Sequence, residues 1–302
     1  MATTRWRDTT SNSLDDAIAL IMRPKEDDLA EKSAYTNWRM TKFYDENQNI
    51  ELDGKDIEYN YISFSCDVVR QGDQPIEDRT INYNGFIIAY RNGKAINYII
   101  NKNSDALKVL RRMLKYSGRS EVVKNNYQVG SDTFVWLVNR VYSRNNIIDP
   151  EETGERVISI DAIKGFRGNS ADSGTTVSAN GESVMNILST LSFLLESKNL
   201  NQVKLELGYL THDSIELTLS NTGTANTTCE KYMGEYMDGG KESCLAKLYL
   251  LIYLEIMPRL IQAYNTECEN GGWNSKKYIE FLTEVANELT SKIDNKKQTL
   301  AV

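Results

Sequence analysis

Lys108, Arg111, Arg112 and Lys115 stand three and four positions apart, the spacing that gathers side chains on one broad face of a helix. Cations arrayed in that way can contact successive phosphates, each contact releasing counterions. Lys94, Arg119 and Lys124 lie near enough in sequence to extend such a face, as do Arg91 and Lys102. The partner these residues suit is a nucleic acid held by its backbone, or an acidic protein. Helix-turn-helix, RNP and zinc-finger patterns are absent, so little base preference is expected. The competing expectation is a solvated face whose charges pair with the acidic remainder of the same chain.

The net charge is −7, yet between Ile81 and Arg144 eleven lysines and arginines face only Asp105, Glu121 and Asp132, an excess of eight. The remainder carries 24 basic and 39 acidic residues, a balance of −15. Such asymmetry indicates association through opposite charge, with a partner or with further copies of the chain as a homo-oligomer. Tyr83, Tyr90, Tyr98, Tyr116 and Tyr127 are interleaved with the cations. Aromatic rings beside cations can stack unpaired bases, although β propensity already accounts for tyrosine in strands.

Acid–base and metal chemistry have less to work with. The chain holds one histidine, His212, and four cysteines, Cys66, Cys229, Cys244 and Cys268, without a CxxC spacing. Sites built on two or three imidazoles are excluded, and neither a zinc knuckle nor a disulfide framework is suggested. No metal and no cofactor is expected, folding should be metal-independent, and reduced thiols suit a cytoplasmic location.

The second function class is a carboxylate-dependent hydrolase or nuclease, sited near Asp161, Lys164 and the stretch 165–181, which opens on Gly165 and closes on Gly181. That stretch is rich in Gly, Ser, Asn and Thr. It falls between an expected strand and an expected helix, where free backbone amides can meet a phosphate. It lacks the GxxxxGK[ST] pattern, and no Glu-x-Lys or Asp-x-Lys triplet lies on a convincing strand, so no catalytic residue is assigned. A protease-sensitive surface loop is the blander expectation there. His212-Asp213 is expected in a turn. Host defence against mobile elements would suit such a chain, but no residue argues for it.

The elements that must position these residues are legible in part. At 302 residues, with 40% hydrophobic and 25% charged, the chain can bury the cores of two ordinary domains. Asp149-Pro150 followed by two glutamates marks a candidate border between residues 1–150 and 151–302. The expected fold class is α+β, two units of β-hairpin plus helix with a mostly helical C-terminal region. In the first unit Ser13 caps a helix that stops before Pro24, residues 24–56 are polar and irregular, and 57–69 alternate as a strand. Residues 86–90 and 95–100 form a hairpin about Asn92-Gly93. Ser104 then caps the basic helix, with Leu107, Leu110 and Leu114 on its apolar face and Gly118 as its stop, and 133–142 is another helix.

In the second unit a strand covers 156–163 and a helix 182–198, and strands 203–209 and 214–220 pair as a hairpin. Helices follow over 229–237, 242–265 and 275–292, with a frayed tail from Lys296. The N-terminus lacks the apolar stretch of a secretory signal. The most apolar run, 245–257, is interrupted by Lys247 and Glu255 and is shorter than a membrane span, so no membrane partner is expected.

Overall fold

The structure, a computed structural model, describes residues 2–118, 120–151, 153–170, 176–180 and 197–300. Its architecture is α+β, with antiparallel sheets, intervening helices and a long C-terminal helix. The chain forms two units, Met1–Asn126 with Gly239–Leu251, and Tyr127–Asp238 with Ile252–Val302.

Among the described residues the first unit is built on a seven-stranded sheet ordered β2-β4-β5-β6-β1-β7, with β3 also pairing with β4. Its strands are β1 (Thr4–Asp8), β2 (Ser33–Lys42), β3 (Gln48–Leu52), β4 (Lys55–Arg70), β5 (Thr80–Asn92), β6 (Ala95–Ile100) and β7 (Val122–Lys124). Alternation sorts their side chains between two faces. Ile62, Phe64 and Cys66 of β4, Ile87 and Ala89 of β5, and Ile96, Tyr98 and Ile100 of β6 share one core with α1 (Leu14–Ile21) and α2 (Ala106–Leu114). On the opposite face Tyr61 stacks on Phe86, which meets Tyr249 of the helix Gly240–Leu251. The sheet is thus buried on both sides, which is why β5 reads as the continuous apolar run Ile87–Ile88–Ala89.

In the second unit β11 (Ser197–Tyr209) and β12 (His212–Ser220) are the centre of a sheet ordered β10-β9-β11-β12-β13, with β8 (Ile147–Ile148) also on β9. The other strands are β9 (Ile158–Ser170), β10 (Thr176–Asn180) and β13 (Ala225–Thr227). Val203, Leu205, Leu207, Ile215, Leu217 and Leu219 face the core, and α3 (Ser131–Tyr142) packs on β9 and β11. A π-helical turn, Ile252–Ile256, leads into the helix Met257–Glu269. The wide turn precedes Pro258, which sits in the first turn of that helix, where its missing N–H costs nothing.

Several expectations hold. Ser13 caps α1, accepting the Asp16 amide at 3.1 Å, and β5 and β6 pair with Asn92 opposite Ala95. Gly93 supplies the positive φ of 61° that their turn needs. Others give way. The 24–56 stretch is not irregular: it contains β2 and β3, and β3 turns into β4 through Asp53-Gly54, both at positive φ. Charged residues on a sheet edge hid it.

α2 is preceded by Asp105 rather than capped by Ser104, and it stops at Lys115, in the left-handed region at φ 58°, rather than at Gly118. The stretch from Gly165 is not a loop at its ends. Gly165 to Asn169 pairs with Thr176 to Asn180 as a β9–β10 hairpin, with 171–175 and Gly181 outside the described residues. Small polar residues imitate a loop wherever neighbouring strands supply the hydrogen bonds. Ser197 and Lys198 belong to β11, and the rest of the expected helix 182–198 lies outside the described residues. Residues 229–237 form two short 3-10 turns, and the final helix runs Ser275–Leu300, past the expected fraying.

Candidate anion-binding groove

α2 is where the strongest sequence signal meets a surface feature. Ala106, Val109, Leu110, Met113 and Leu114 are buried, an i, i+3, i+4, i+7, i+8 stripe that docks the helix on the sheet. Each buried aliphatic side chain contributes on the order of 1.5–3 kcal/mol, against tenths for intrinsic propensity, so docking decides that the cationic face points outward. Lys108 and Lys115 are exposed; Arg111 and Arg112 are half-buried.

Those four cations have different environments. Arg112 Nε donates to Asp27 Oδ2 at 2.5 Å and its Nη2 to Glu31 Oε2 at 3.3 Å, while the guanidinium lies 4.7 Å from the centre of the Tyr35 ring. Asp27 is itself pinned, accepting the Tyr35 amide at 2.9 Å. Arg112 is therefore a strut that ties the acidic 26–31 segment to α2. Arg111 Nη2 donates to the Ser117 carbonyl at 2.5 Å, and its buried Nε has no hydrogen-bond partner. Lys108 rests over the Tyr35 ring at 4.9 Å, and neither it nor Lys115 makes an ion pair among the described residues.

Between α2 and the 25–31 segment lies an open groove of about 580 Å³, lined on its basic side by Lys25, Lys108, Arg111, Arg112 and Lys115. Its acidic lining, Asp27 and Glu31, is the pair that Arg112 engages. The amide of Lys25 donates to the Arg112 carbonyl at 3.1 Å, which holds the two walls together.

Other predicted residues fall elsewhere. Lys94 is in the β5–β6 turn and Lys124 on edge strand β7 opposite Trp6; neither lines the groove. Arg119 lies outside the described residues. Arg91 is committed to Glu58 at 3.0 Å. Tyr90 and Tyr98 are core residues, Tyr98 donating to Asp8 at 2.6 Å, and Tyr116 also bonds Asp8, so these rings are not stacking surfaces. Lys25, which lines the groove, and Tyr35, whose ring lies under Lys108 and Arg112, were missed because they come from segments far from α2 in sequence.

Around Asp161 the second unit has a cleft of about 460 Å³, lined by Glu155, Ser159, Asp161, Tyr209, His212 and Asp213 among others. Partial burial raises the Asp161 carboxyl above the usual carboxylate range, with a hydrogen bond from Ser159 opposing it. Lys164 does not serve it, being paired with Glu206 at 2.7 Å, a contact that holds the Glu206 carboxyl low. His212 is not in a turn. It opens β12, 2% exposed, with Nδ1 at 2.6 Å from the Tyr232 hydroxyl. Burial holds its imidazole below the ordinary range, with Glu235, Glu255 and Asp213 pulling the other way. The described residues contain no group of three or more His, Cys, Asp or Glu placed to hold a metal ion, and no described helix is long and apolar enough to cross a membrane. No protein-family model matches the chain, and no curated protein is significantly similar to it.

Proposed function

We propose that this protein is a polyanion-binding protein that engages the phosphate backbone of a nucleic acid through the groove beside α2. One observation carries the reading: Lys25, Lys108, Arg111 and Lys115 line a single groove without a carboxylate partner among the described residues, while Arg112 occupies both acidic residues of its lining. Cations that satisfied the protein's own acidic surface would be paired, as Arg91 and Arg112 are. Four cations with no carboxylate partner among the described residues repel one another, and an anionic ligand relieves that repulsion.

Fluorescence anisotropy of a labelled oligonucleotide at low salt tests it. Wild-type protein is expected to bind with little sequence preference. The K25A/K108A variant should bind more weakly on every sequence, with a logarithmic salt slope shallower by about 1.4–1.8 units. Binding that is absent, or indifferent to the substitutions, overturns the reading. A complex that forms only with an acidic protein in nuclease-treated lysate would replace it. Around Asp161 no described residue specifically favours the hydrolase alternative.

A further inference from the structure

Beside the N-terminal end of α2 the helix-bearing face of the first sheet continues as a shelf of aromatic residues. Tyr35 and Trp38 of β2 stack with ring centres 6.0 Å apart and planes within 17°. Phe64 of β4 lies 6.2 Å from Trp38 and 6.3 Å from Tyr83 of β5, and Tyr83 meets Tyr35 edge-on at 5.8 Å. Tyr35 and Phe64 are buried in the core, whereas Trp38 and Tyr83 are only partly covered. Cations rest on the rings: Lys102 is 4.1 Å from the centre of Tyr83, and Lys108 and Arg112 lie over Tyr35.

Two polar atoms in this cluster are unexplained by the fold. Trp38 Nε1 and the Tyr83 hydroxyl are both buried and neither has a hydrogen-bond partner. Leaving such groups unsatisfied costs free energy that native proteins rarely tolerate without a reason. Lys102 is in a similar position. It donates to the Asn84 carbonyl but makes no ion pair among the described residues, and burial lowers its ammonium below the ordinary lysine range. An incoming phosphate would draw that ammonium off the Tyr83 ring and uncover the aromatic face. Lys108, which lies over Tyr35, links the shelf to the groove, and Lys115 lies about 10 Å further along the helix axis at 1.5 Å rise per residue.

We propose that the Trp38–Tyr83 shelf takes an unpaired nucleobase, stacked on Trp38 and hydrogen-bonded at its edge by the Tyr83 hydroxyl, so that the ligand of the groove is single-stranded nucleic acid. This rests on the groove reading above and goes beyond it by naming the strandedness and the base contact. A base with a π-face on a ring is sequence-tolerant, consistent with a groove that otherwise meets only backbone.

The test compares three probes on the intact chain: short oligo(dT), an abasic deoxyribose-phosphate oligomer of the same length, and the corresponding duplex. Trp6, Trp136 and Trp273 are buried, so Trp38 is the half-covered tryptophan that an approaching base can quench. Oligo(dT) is expected to quench fluorescence and to bind about tenfold more tightly than the abasic oligomer, within the stacking range of roughly 1–3 kcal/mol per base. W38A should erase that difference and leave abasic binding unchanged. Y83F, which removes the hydroxyl and keeps the ring, should narrow it, and W38F, which keeps a stacking ring, should retain most of it. They also serve if W38A does not fold. Equal affinity for oligo(dT) and the abasic oligomer, or preference for the duplex, overturns the shelf and leaves the groove reading standing. Absence of binding to all three probes overturns both.

Discussion

Arg112 shows how one residue type divides between roles along a single helix face. Its guanidinium is largely covered and pinned by Asp27, which is 4% exposed, so removing it strands a buried carboxylate. Arg112→Ala is expected to destabilise the first unit by about 3 kcal/mol, in the range for breaking a buried pair. Lys25→Ala and Lys108→Ala should each stay within about 1 kcal/mol, since their charges are solvated; urea midpoints at constant slope separate the cases. His212 supplies a second residue-level expectation. Burial lowers its folded pKa below the unfolded value near 6.5, so the unfolded chain binds the extra proton first. The stability His212 contributes is therefore present above pH 6.5 and lost as pH falls below it, with a slope of at most about 1.4 kcal/mol per pH unit. His212→Gln should flatten urea stability between pH 6.5 and 5 relative to the wild type. An unchanged pH profile would mean that the ring titrates alike in both states. His212 itself was legible as a lone imidazole, but its burial was not, because the Tyr232 and Tyr236 rings that cover it arrive from twenty residues downstream.

The elements were most legible where side-chain period and turn chemistry agreed, as in α1, the β5–β6 hairpin, α3 and the β11–β12 pair. They failed where the fold overrode local preference. α2 ends on Lys115 at φ 58°, a conformation that costs a lysine but not a glycine. Lys115→Gly is expected to raise stability by about 0.5–1 kcal/mol while weakening anion binding, so that a denaturation midpoint and an affinity move in opposite directions. β9 and β10 make the opposite case. Their Gly-, Ser- and Asn-rich residues resemble a loop, yet Gly165 to Gly168 of β9 pair with β10 on one side and β11 on the other, and Lys164 beside them is held by Glu206. Limited trypsin digestion should spare the Lys164-Gly165 and Arg167-Gly168 bonds, and early cleavage there would show that β9 is not paired as described. β3 was readable after all, since Asp53-Gly54 is the same kind of turn signal as Asn92-Gly93.

At the scale of the whole molecule, a net charge of −7 is unusual for a polyanion binder, and the proposed affinity would have to come from a local field. If three or four phosphates are neutralised, the logarithm of affinity for a single strand should fall with the logarithm of salt at a slope of about −2 to −3. A slope near zero, measured from 50 to 300 mM salt, would place binding elsewhere than in the basic groove. Composition and periodicity determined that the chain is α+β, that its cations concentrate between Ile81 and Arg144, and that α2 turns a charged face outward. These are properties of short windows, set by spacing along one element. Which cations are available was decided by tertiary structure. Arg112 is consumed by Asp27 and Glu31, Lys25 joins Lys108 across the groove, and Trp38 and Tyr83 come to share Tyr35 and Phe64 as neighbours only because β2 and β5 both pair with β4. Pairing over such separations depends on burial and register in the folded sheet, and neither quantity exists in any local stretch of sequence.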